Sequence, residues 1–110
     1  MPQSYLIFDF GSNEEVAQQA RHRIESWRQA FRLDRKMQVK FERREPEKSN
    51  GPEQLRVIVR LDFSEHEKLS HTRWLERLPA EAPFKDASPQ VIRNGEDAFA
   101  KTAELFDSLP

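Results

Sequence analysis

The first place to look for chemistry is His66-Glu67-Lys68-Leu69-Ser70-His71. Two histidines around a glutamate resemble a zinc-protease helix, where the imidazoles stand four residues apart and share a face. Here they stand five apart, which turns one about 140° from the other at 100° per residue. The spacing therefore excludes a shared metal, and the expectation is two surface histidines on an exposed helix. His22 falls opposite the apolar stripe of its own helix, so a solvated side chain is expected rather than a general base.

Other reactive constellations fail on similar grounds. The chain has no cysteine, which removes thiolate metal sites, disulfides and cysteine nucleophiles. No serine sits in a nucleophile elbow. Gly11, Gly51 and Gly95 are too scattered for a phosphate-cradling loop. Gly11-Ser12 opens a helix whose free amides could hold an anion, but Glu14 and Glu15 already supply negative charge there, so capping is the expected role. No arginine lies in that first strand-helix loop to hold an acyl phosphate. No catalytic residue, metal or cofactor is assigned.

Charge is the feature that stands out. Residues 21–44 hold Arg21, Arg23, Arg28, Arg32, Arg35, Lys36, Lys40, Arg43 and Arg44 against Glu25, Asp34 and Glu42, in a chain of net charge −1. Helical spacing lines Arg21, Arg28, Arg32 and Arg35 along one flank, interrupted by Glu25. Such a stripe is a candidate for anion or partner binding, through arginine anchors in a protein interface or phosphate contacts to nucleic acid. The competing reading is a solvated flank whose arginine stems cover the edge of the core.

The elements that position these residues come from periodicity. Residues 4–10 alternate as a strand, with Leu6, Phe8 and Phe10 on one face and Tyr5, Ile7 and Asp9 on the other. Ser12-Asn13-Glu14-Glu15 fits a capping box and opens a helix over 13–33, with Val16, Ala20, Ile24, Trp27 and Phe31 on one stripe. Residues 37–44 and 55–63 are two more alternating strands, joined by the polar loop 45–52. Ser64-Glu65-His66-Glu67 is a second capping box, opening a helix over 65–78 with Leu69, Leu75 and Leu78 inward and Trp74 beside them. Pro79, Pro83 and Pro89 leave room for only a short edge strand within 84–92. A last helix spans 95–108, with Phe99, Ala103 and Phe106 on its stripe.

The order β-α-β-β-α-(β)-α predicts one α+β domain over 1–110. It matches the ferredoxin-like split βαβ plan, an antiparallel sheet with helices on one face and an extra C-terminal helix. The second face would then be open. Tyr5 and Ile7 would lie there beside Arg56, Ile58 and Arg60, a mixed apolar and cationic patch suited to closing a homodimer. The alternative is that residues 79–110 cover it.

The longest strongly apolar run, residues 5–8, is far short of a membrane span. The N-terminus has no signal-peptide pattern, and a cytoplasmic setting is expected. Three functions fit this reading. The first is a non-enzymatic interaction module that self-associates, or binds another protein, through the open face or an edge strand. The second is a nucleic-acid-binding accessory domain using the basic flank. The third is a small-ligand enzyme of the dimeric α+β barrel type, disfavoured by arginines where a pocket needs apolar lining.

Overall fold

The computed structural model describes residues 3–44 and 54–109, without the side chains of Asp34 and Arg44. The loop expected at 45–52 lies outside the described residues. The elements run β1 (Gln3–Gly11), α1 (Glu14–Ala30), β2 (Met37–Arg44), β3 (Gln54–Asp62), α2 (Lys68–Arg77), β4 (Gln90–Arg93) and α3 (Asp97–Ser108), with single 3₁₀ turns between them. The chain is α+β, with an open four-stranded antiparallel sheet in the order β2-β3-β1-β4.

Alternation gives each strand two faces. Leu6, Phe8, Leu55, Val57, Val59, Leu61 and Met37 pack beneath α1 and α2, where they meet Ala20, Ile24, Trp27, Trp74, Leu78 and Phe84. The other face is not open. Tyr5, Ile7, Ile58 and Ile92 form a second core with Phe106 of α3, supported by Phe99, Ala103 and Leu109. Tyr5 is 1% exposed and Ile58 0%. The expected interface of Tyr5, Ile7, Arg56, Ile58 and Arg60 is thus corrected. Its apolar members are already buried within one chain, because the α3 stripe needs an apolar surface and this face offers one.

Cross-strand register explains where α3 sits. One row across the sheet reads Ile92, Tyr5, Arg60, Gln38; the next reads Gln90, Ile7, Ile58, Lys40. The face grades from apolar on β4 and β1 to polar on β2. Phe106 lies at the boundary. Its ring meets Tyr5 at 5.6 Å, and Lys40 and Arg60 place their cations over it at 4.5 and 4.8 Å. Lys40 Nζ also donates to the Phe106 carbonyl at 2.8 Å, which accepts the Leu109 amide as well at the end of the helix.

Both early helices depart from their expected ends. α1 starts one residue late. Gly11 turns the chain at φ +59 and donates its amide to Asp9 Oδ1, so Asn13 becomes the cap and its side chain accepts from the Val16 amide at 3.2 Å. The helix stops at Ala30, not 33. Leu33 N–H donates to the Arg28 carbonyl and Arg32 N–H to that of Gln29, the paired bonds of a Schellman end. Phe31 is thereby turned out of the core stripe to 53% exposure.

The Ser64 capping box forms, but it opens into a 3₁₀ turn, Glu65–Glu67, before α2. Trp74, Leu75 and Leu78 of the helix behind it face the core as expected, and at 100° per residue His71 shares their side whereas Leu69 lies about 180° from Leu78. Leu69, expected inward, is 67% exposed, and His71, expected at the surface, is buried.

The Schellman end puts Arg32 at φ 52, a position that glycine usually fills. A left-handed L-residue costs about 1 kcal/mol. Arg32→Gly is therefore expected to stabilise the fold by about 0.5–1 kcal/mol, read as a higher denaturant midpoint with unchanged slope. A lower midpoint would mean that the Arg32 side chain contributes more than its backbone strain takes away.

Candidate functional site

His71 is the one buried histidine, and it meets a serine. Its Nε2 lies 3.0 Å from Ser4 Oγ, and its ring stacks on Phe63. A serine beside a histidine is the first half of a nucleophile-base pair. Here both are buried, with Ser4 on β1 beneath α2, so a substrate has no approach. The pair closes the core between α2 and the sheet. His66 is exposed, and among the described residues no group of three or more His, Asp or Glu is placed to hold a metal.

The arginine flank does not survive as one stripe. Arg21 turns toward β2, where it lies over the Phe41 ring at 5.3 Å and pairs with Glu25 at 3.3 Å. Arg28 remains on α1. Arg32 lies beyond the helix in the Schellman end, and Arg35 lies in the 3₁₀ turn Asp34–Lys36. Arg28 and Arg32 are therefore not an i,i+4 helical pair. The remaining face residues are internally paired. Arg56 donates to Glu42 at 2.7 Å, and Arg60 bonds Gln38 and lies 3.5 Å from Asp107. Phe99 and Phe106 fill the space in which a ligand under this face would sit.

Two of the surfaces left exposed bring together groups suited to binding. The first is the outer edge of β2. Among the described residues no strand pairs with it, and it runs for eight residues. A groove of about 440 Å³ runs along this edge, with Gln18, Arg21, Val39, Phe41 and Arg43 on the α1 side and Lys40 and Leu109 on the α3 side. The strand alternates sign on its α3 face, Lys40 then Glu42.

The second surface is the seam between α1 and α2. Arg77 places its guanidinium 5.3, 5.7 and 5.2 Å from the rings of Trp27, Phe31 and Trp74. Trp74 meets Trp27 at 5.6 Å and Phe31 at 5.4 Å, the latter nearly perpendicular at 81°. Arg23 covers Trp27 at 4.8 Å and pairs with Glu81 at 2.6 Å. That hydrogen bond holds the Glu81 carboxyl below its usual range. Sequence reasoning missed this cluster. Arg23, Trp27 and Phe31 stand at i, i+4 and i+8, which was a usable signal, and Trp74 was expected beside the inward side of α2, but periodicity does not say that the two helices meet there.

Comparison with known proteins gives no matching family model, no matching curated protein and no matching solved structure. The class is the one the fold defines, an α+β domain on a four-stranded antiparallel sheet. No helix among the described residues is long and apolar enough to cross a membrane.

Burial holds the His71 pKa below its usual 6.5, Arg93 adds to the effect, and Asp62 opposes it. The folded state thus prefers neutral imidazole, while the unfolded chain takes up a proton near pH 6.5. Stability from this group is complete above that pH and declines as pH falls through 6.5 toward the lower folded value. Glu67 is lowered to about 2, first by the Lys36 hydrogen bond and then by Ser64, and Glu81 is also lowered. These carboxylates lose their contribution only at more acidic pH. The melting temperature is expected to fall between about pH 7 and pH 5.5 and to flatten in His71→Gln. A fall of the same size in the variant would assign it to other groups.

Proposed function

We propose that this domain is a non-enzymatic interaction module that self-associates through the edge of β2. The supporting observation is an eight-residue strand edge that no described strand covers, bordered by a groove and carrying a self-complementary charge order. An uncovered edge presents main-chain donors and acceptors that a second strand satisfies. Charges on an edge usually discourage pairing. Here antiparallel pairing about a two-fold axis through Phe41 sets Lys40 of each copy opposite Glu42 of the other, so opposite charges face across the ladder while Glu42 keeps its Arg56 partner and Lys40 its contact with Phe106. Phe41 then meets its own counterpart at the axis.

The same reading assigns the domain to the ferredoxin-like plan. The order β4-β1-β3-β2, taken from the β4 edge, interleaves two split βαβ units, with α1 and α2 on one side and α3 added on the other. A cytoplasmic setting suits a fold that uses no disulfide.

Sedimentation equilibrium tests the proposal. The mass is expected to rise from 13.0 kDa toward twice that value between micromolar and millimolar protein. Phe41→Lys places two like charges on the axis and is expected to keep the monomer mass throughout, with an unchanged circular dichroism spectrum. A wild-type mass fixed at 13.0 kDa up to millimolar protein rejects the proposal.

A further inference from the structure

The end of α1 lies on the helix side of the sheet, and its properties do not depend on the β2 edge. Three observations meet there. Phe31 keeps 53% of its surface in water although it packs on Trp74 and under Arg77. Arg32, the next residue, holds a left-handed backbone that glycine would adopt at lower cost. Arg28, Arg32 and Arg35 form no ion pair among the described residues.

Each observation has a physical consequence. A half-exposed ring beside other rings is a stacking platform. Unpaired guanidiniums next to it attract anions, and three of them outweigh the roughly half negative charge at a helix C-terminus. Backbone strain in a non-glycine residue is found where a side chain is needed at that point. The combination is a half-exposed ring with three unpaired cations close to it along the chain.

We infer that the end of α1 binds single-stranded nucleic acid, with a base stacked on Phe31 and phosphates held by Arg28, Arg32 and Arg35. Stacking on aromatic rings with cationic contacts to the backbone is the general mode for single strands. A duplex keeps its base faces covered by neighbouring pairs, so Phe31 has nothing to stack against there. An acidic peptide would satisfy the arginines and leave the ring without a planar partner. Both of the chain's tryptophans, Trp27 and Trp74, lie in the same cluster, so their fluorescence reports on occupancy.

The test is a titration of the full chain with short fluorescein-labelled oligo(dT), read by anisotropy and by tryptophan quenching, at low and moderate salt. Binding is expected at low salt, with quenching, and is expected to weaken steeply as salt rises. Phe31→Ala is expected to weaken it about tenfold, and Phe31→Trp to retain it. Arg28→Glu combined with Arg32→Glu is expected to abolish it. An unchanged melting curve for Phe31→Ala separates lost binding from lost folding. Absence of binding at low salt overturns the inference. So does equal affinity for duplex DNA, equal competition by polyglutamate, or full affinity in Phe31→Ala.

Discussion

The packing of Phe106 against Tyr5 and Ile58 decides what kind of molecule this is. A four-stranded sheet with helices on one side leaves its other side to water, a ligand or a second copy. Here that side carries Tyr5, Ile7, Ile58 and Ile92, which are too apolar to stay wet. α3 closes it within the same chain. The polar half of the face then completes the contact. Lys40 and Arg60 lay their cations over the Phe106 ring, and Lys40 caps the helix end. One ring thus joins the apolar and charged halves of the face. The arrangement leaves the Arg60 Nε buried without a partner among the described residues, and Gln38, Asp107 and the ring serve the rest of that guanidinium.

Closing both faces restricts where contact with other molecules can occur. Side chains of the sheet interior are spent on the two cores. The margins remain, among them the β2 edge with its groove and the seam where α1 ends against α2. Both margins are cationic, a result of the crowding of arginine and lysine into residues 21–44. The structure divides that charge. Arg21 and Arg43 serve the β2 edge and are paired with Glu25 and Glu14, whereas Arg28, Arg32 and Arg35 gather near the end of the helix.

Much of the fold was legible in the sequence. Period-two alternation located β1, β2 and β3, since each has a mostly apolar side under α1 and α2. The Phe99, Ala103 and Phe106 stripe located α3, and the prolines at 79, 83 and 89 left room for the four-residue β4. The departures share a cause. Helix ends are set by turn geometry, which composition does not record. Gly11 delayed α1, a 3₁₀ turn at Glu65–Glu67 took the place of the first turn of the second helix, and the left-handed Arg32 ended α1 early. The core stripes of both helices kept their places, but periodicity does not say that Trp27 and Phe31 meet Trp74 and Arg77. The face over Tyr5 and Ile58 was legible as a patch needing cover, but periodicity does not say which surface the last helix meets.

The most direct test of this architecture is the unfolding free energy of Phe106→Ala. If Phe106 closes the second face, the loss is about 3–5 kcal/mol, as for other buried aromatic truncations. A loss below about 1 kcal/mol, typical of surface substitutions, would mean that α3 does not seal the sheet. The face carrying Tyr5, Ile7 and Ile58 would then be available to a partner after all.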